Sequence, residues 1–157
     1  MKVLSRESKH VRYGVAAVEF AVVLPFLLLV LAGLWEVGAL VKTQQLLSNA
    51  ARVGGRQAST GLNTNAQVQQ SVLQYLQNAG LSTTNVNVTV TDVTSGGDVS
   101  NASQMDQISV TVTIPFKDVA WDALSFVVPG GSQVTGSATW YSMVDLPVNV
   151  STTLPIQ

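Results

Sequence analysis

The apolar positions change period along the chain, and each change marks an element. From Phe20 to Trp35 no residue is charged, and Val15–Val18 and Val37–Val41 continue the apolar run on both sides. A run of this length predicts a membrane-spanning helix. Val15 to Val41 would extend about 40 Å at 1.5 Å per residue, more than the roughly 30 Å hydrocarbon core. Part of it should protrude and carry Glu36 to the far interface, where Trp35 suits an interfacial anchor. Pro25 sits in the interior of this helix. It is either a tolerated membrane-helix proline or a bend that softens the helix for repacking among others.

From Thr43 to Ala58 the sequence stays helical but becomes amphipathic. Leu46, Leu47, Ala50, Ala51 and Val53 are apolar, while Gln44, Gln45, Ser48, Asn49 and Arg52 are polar. Gly54-Gly55 is expected to break it, because adjacent glycines favour turns or hinges. Arg52 and Arg56 lie four apart and share a side if the helix persists. They read as solvated or headgroup-facing residues, or as contacts to acidic groups of a partner.

A second helix is predicted from Thr64 to Ala79. Val68, Val72, Leu76 and Ala79 recur at helical spacing with Leu73 beside them, and Gly80 is placed to stop the helix. The period then falls to two. Val86, Val88 and Val90 alternate with Asn87, Thr89 and Thr91, and Ile108, Val110, Val112 and Ile114 alternate with Ser109, Thr111 and Thr113. Ser95–Ser103 reads as the loop between these strands. A third strand is expected near Val134–Val144, with Ala138, Trp140 and Val144 on one face. Asp118–Ser125 could form a short helix, Phe126-Val127-Val128 is strand or buried connection, and the Pro147–Gln157 tail reads as extended. The fold class is α+β: a long N-terminal transmembrane helix, then a small head with one or two helices and a mainly antiparallel sheet of about three strands. The expected divisions are 1–14, 15–41, 42–60 and 61–157.

Charge sharpens this division. Of eight basic residues, seven lie at or before Arg56, and Lys117 alone stands afterwards against six aspartates, a net charge of −5. An acidic polar head argues against nucleic acid, which needs a basic surface. Lys2, Arg6, Lys9 and Arg12 before the apolar run place the N-terminus in the cytoplasm and the rest outside, with Lys42, Arg52 and Arg56 competing. There is no cysteine, and His10 is the one histidine. No glutamate follows Glu36, so transition-metal sites and Ser-His-Asp or Cys-His catalysis lack their residues. No catalytic residue, cofactor or small-molecule substrate is expected. Asp92, Asp98 and Asp106 read as solvated turn residues.

Glu19 is the exception in the apolar run, since a carboxylate in lipid costs several kcal/mol. Three readings of the N-terminus compete: a signal peptide cut near Val37-Gly38-Ala39, a plain anchor, or a helix processed after Gly14. The third rests on Gly14 followed by four residues and then Glu19-Phe20. The stretch from Gly14 through Ala17-Val18-Glu19-Phe20 to Pro25, then Gly33-Leu34-Trp35-Glu36, then Ala50-Ala51-Arg52-Val53-Gly54-Gly55-Arg56 resembles the TadE-like family of minor pilins. The resemblance covers about residues 14–58. Val53 departs from the glutamate common there, and Val15 is bulkier than the residue usual after the scissile glycine.

That resemblance implies a minor pilin or pseudopilin of a bacterial Tad-type adhesive pilus, cut between Gly14 and Val15 by a prepilin peptidase. Glu19 and Phe20 would serve processing and assembly, Pro25 would bend the helix, and Glu36, Arg52 and Arg56 would meet a partner or headgroups. Its partners would be other pilins, Tad assembly proteins, the peptidase and the bilayer. Its location would be the inner membrane, single-pass, with the head extracytoplasmic.

Overall fold

A computed structural model describes residues 10–119 and 131–144, with side chains described from Gly14 onward. The chain divides into two compact units, residues 1–39 and 40–157. One helix, α1 (His10–Ala58), runs without interruption through both. Its order is followed by α2 (Asn65–Asn78) and the strands β1 (Asn87–Asp92), β2 (Gln107–Pro115) and β3 (Gln133–Tyr141). The protein is α+β, as its periodicities predict.

In the first unit, residues from Val15 to Leu31 are exposed all round the helix. Nothing in this stretch separates an inner face from an outer one. The helix is long and apolar enough to cross a membrane.

In the second unit a face emerges. Leu47, Ala50, Ala51 and Ala58 are fully buried, at the spacing that keeps side chains on one side of a helix. The predicted break at Gly54-Gly55 is not present. Both glycines are helical and buried. A Cβ on Gly54 would meet Val72 Cγ2 at 2.6 Å, and one on Gly55 would run into the Trp140 ring. The glycines therefore provide close approach between helix and head, and that packing outweighs the roughly 1 kcal/mol each costs a helix relative to alanine. Val53, grouped with the apolar positions in the sequence, points outward.

Local signals fix α2. Thr64 Oγ1 accepts from Gln67 N at 3.4 Å and Gln67 Oε1 accepts from Thr64 N at 2.9 Å, a reciprocal cap on otherwise unpaired amides. Val68, Val72 and Leu76 are its buried stripe. At the other end Gly80 takes φ +82°, Leu81 N donates to Leu76 O and Gly80 N to Gln77 O. This is the left-handed glycine stop that satisfies the last carbonyls.

The sheet is antiparallel in the order β1-β2-β3. Register pairs Val90 with Val110 and Val110 with Ala138, and likewise Val88 with Val112 and Val112 with Gly136. One face is thus apolar across all three strands. Gly136 has no side chain where α1 passes, and a Cβ there would strike the backbone at Leu47–Ser48. Val144 falls beyond the end of β3, so of the expected face only Ala138 and Trp140 belong to the strand. The expected loop at Ser95–Ser103 holds a single 3₁₀ turn, Val99–Asn101, with Val99 fully buried. Another 3₁₀ turn spans Phe116–Asp118. The rest of the short helix predicted to Ser125, Phe126-Val127-Val128 and the Pro147–Gln157 tail lie outside the described residues.

Candidate functional site

The predicted site residues all fall on α1, and the two units treat them differently. Gly14, Val15, Glu19 and Phe20 are helical and exposed. No atom beyond the helix's own turns lies within 4 Å of a Cβ built on Gly14. Packing among the described residues gives no reason for a glycine there. Glu19 follows by five residues, an exposed carboxylate among exposed valines, leucines and phenylalanines. Helix α1 continues through Pro25. Lys2, Arg6 and Lys9 lie outside the described residues, and Arg12 outside the described side chains.

Glu36 is buried. Its relative exposure is 4%, and Oε1 has no hydrogen-bond partner. A buried carboxylate oxygen left unpaired costs about 1–3 kcal/mol. Nothing in the sequence pattern signals this burial, because Trp35 and Val37 on either side are exposed.

Arg52 and Arg56 are exposed, and neither guanidinium makes a hydrogen bond or ion pair among the described residues. They belong to a longer stripe. Lys42, Gln45, Asn49, Arg52 and Arg56 are all exposed, and at 100° per residue they fall on the side of α1 opposite Leu47, Ala50, Gly54 and Ala58. Two shallow hollows open along this side, one bordered by Gln45, Asn49 and Arg52 and one by Val53, Arg56 and Asn63. The i, i+3, i+7, i+10, i+14 spacing is readable in the sequence once the helix is known to pass Gly54-Gly55.

The head's aspartates are structural acceptors. Asp92 is fully buried rather than solvated. Its Oδ1 accepts from Thr94 N at 2.9 Å and Ser95 N at 3.1 Å, and its Oδ2 from Ser95 Oγ at 2.6 Å. Burial works against the ionised form, but the Ser95 hydroxyl and the Ser95 and Thr94 amides hold the carboxyl below its ordinary value. Asp98 is held below its ordinary value by the Ser100 amide first, then the Ser100 hydroxyl and the Asn65 amide. It thereby ties the start of α2 to the 3₁₀ turn. Asp106 accepts from Ser103 N at 2.7 Å.

An unpacked glycine, an exposed glutamate five residues on and a continuous apolar helix lie within one stretch that has its own likeness. Residues 14–56 match the family described as TadE-like protein. The match ends two residues before α1 does. No curated protein and no solved structure matches the chain. The TadE-like domain points to a component associated with the Tad pilus, and the apolar part of α1 is consistent with membrane localisation.

Proposed function

We propose that this chain is a minor pilin or pseudopilin of a Tad-type pilus. A prepilin peptidase would cut between Gly14 and Val15, leaving a single-pass inner-membrane protein with its head outside the cytoplasm. The observation that carries this reading is Glu19, exposed on an apolar helix five residues after a glycine that nothing among the described residues packs against.

The chemistry follows from cost. A carboxylate in hydrocarbon is unfavourable by several kcal/mol. Cutting after Gly14 creates an α-amino group at Val15, which carries a positive charge at neutral pH. Each group is costly alone in lipid. They offset one another when the amine of one subunit meets Glu19 of another, so pairing is satisfied in one axial register. The role is structural rather than enzymatic: α1 packs beside other pilin helices and the head presents a surface. Other pilins and Tad assembly proteins are the partners.

Intact-mass measurement of the mature protein from its native membrane tests this. Loss of residues 1–14 is the expected result. Loss of residues 1–39 would establish a secreted domain, and an uncut chain would leave a plain anchor.

A further inference from the structure

Strand β3 leaves one edge of the sheet open. Ser142 N donates to Asp106 O at 2.8 Å and Phe116 N to Ser132 O at 2.9 Å. These bonds set the phase of the ladder. Even-numbered residues of β3 exchange hydrogen bonds with β2, and odd-numbered ones turn their amides and carbonyls outward. Gln133, Thr135, Ser137, Thr139 and Tyr141 form that outward row, all with exposed side chains. Their outward backbone groups make no hydrogen bond among the described residues. An open edge is ordinarily blunted by charge, proline or a bulge. Strand β3 has no charge and no proline, and its register with β2 runs unbroken. At the opposite edge β1 has six residues, and its Asp92 O is already taken by Gly96 N.

The apolar side of β3 limits what can join it. Gly136 lies against the α1 backbone at Leu47–Ser48 and Trp140 against Gly55, so α1 sits directly on the strand. A second copy adding its own β3 would bring its α1 within one strand spacing, about 4.8 Å. Packed helices need about 8–10 Å. The edge therefore admits a bare strand and excludes a second β3. That strand must continue Thr135, Ser137 and Thr139 on one face and Val134, Ala138 and Trp140 on the other.

This chain contains such a segment. Val148–Leu154 is uncharged, seven residues long and bounded by Pro147 and Pro155. Val148, Val150 and Leu154 alternate with Asn149, Ser151 and Thr153, the period of a half-buried strand. The segment lies outside the described residues. The way the chain leaves β3 decides which copy supplies it. Met143 N, the next outward amide after Tyr141, donates to Ser59 O at 2.8 Å. Val144 abuts Gly61. The connection between α1 and α2 thus fills the place where a hairpin back onto β3 would begin.

We propose that the open edge of β3 receives Val148–Leu154 of a second copy of this chain as a fourth strand. Main-chain hydrogen bonds supply the affinity and the alternating side chains set the register. Edge and donated segment are different surfaces, so each copy can receive one strand and donate one, and the contact propagates. The inference concerns residues 40–157 alone and goes beyond the reading above.

The chain has no cysteine, so disulfide mapping on the full chain in phosphatidylcholine vesicles tests this. One preparation carries Ser137→Cys, and it is mixed with others carrying a single cysteine at each of positions 148 to 154 in turn. On oxidation the yield of covalent dimer should peak at Asn149→Cys, Ser151→Cys or Thr153→Cys. It should fall about tenfold or more at the positions on either side of the peak, which face away from Ser137. Val148→Asp with Val150→Asp in the donor should lower the peak about tenfold, because both charges would be carried to the apolar side. These two positions lie outside α1, α2 and the three strands, so an unchanged melting temperature separates lost docking from lost folding. The proposal is overturned by a peak at an apolar position, equal yields throughout, no dimer, or indifference to the aspartates. A dimer formed by Ser137→Cys alone, or a disulfide closed within one chain carrying both cysteines, overturns it as well. None of these outcomes bears on cleavage after Gly14, which the mass measurement decides separately.

Discussion

Helix α1 uses glycine in two ways. In residues 14–39, Gly14, Gly33 and Gly38 face open space, with nothing within 4 Å of an added Cβ. In residues 40–58, Gly54 and Gly55 press against Val72, Val110 and Trp140. Each glycine costs a helix up to about 1 kcal/mol against alanine. In the second half the head compensates within the same chain. In the first half nothing among the described residues does. The family match follows the same line, covering α1 almost to its end and none of the head. The likeness to TadE-like proteins is thus carried by the helix.

The sharpest way to break this comparison is at the processing site. Gly14→Val should abolish removal of residues 1–14, read by intact mass, while the head keeps its melting temperature. Glu19→Gln should leave cleavage and membrane insertion in place but reduce incorporation into filaments at least about tenfold, because the amine loses its ionic partner. Normal piliation in that variant would remove Glu19 from the mechanism.

Next in size are the crowded glycines. Gly136→Ala places a methyl group on the α1 backbone, and Gly54→Val overfills the space before Val72. Each should destabilise the detergent-solubilised chain by about 1–3 kcal/mol in denaturant titration, as overpacking does. Gly33→Ala and Gly38→Ala should be neutral or stabilise the helix by about 0.5–1 kcal/mol. Equal effects in the two halves would dissolve the contrast.

Glu36 belongs by number to the first half but is buried like the second. Glu36→Leu removes an oxygen without a partner and should raise stability by about 1 kcal/mol. If the same variant fails to assemble, the carboxylate has a partner in the filament.

The smallest effect is that of pH on the head. The Asp92 and Asp98 carboxyls lie below their ordinary value when folded, so the unfolded chain takes up protons first as pH falls. Their contribution is complete above the ordinary carboxyl value of about 4 and disappears as pH drops through the folded values. Denaturant midpoints measured downward from pH 6 should decline only below about 4, and Asp92→Asn should weaken that decline.

Much of the fold was legible because short-range rules govern it. The Thr64 cap, the Gly80 stop and the Val68–Val72–Leu76 stripe define α2 without reference to the rest of the molecule. The alternation of Val88 and Val90 and of Ile108 to Ile114 likewise predicts β1 and β2, since a pleat turns successive side chains to opposite faces. The long apolar helix was readable for a related reason: its signal lies in local hydropathy and length.

Contacts between distant residues decided the rest. Gly54-Gly55 has the local signature of a break, yet the helix continues because Val72 and Trp140, far along the chain, need the space that missing side chains leave. Asp92 looks like a solvated turn residue, yet its three donors allow it to be buried as an ion. The basic stripe became a face only once α1 was continuous through the glycines and the opposite side was occupied. Sequence determined the elements and the long apolar helix, because period and hydropathy are local properties. Tertiary structure alone decided which glycines are contacts, which acids are buried and which side of α1 in residues 40–58 stays exposed, because those depend on what packs where.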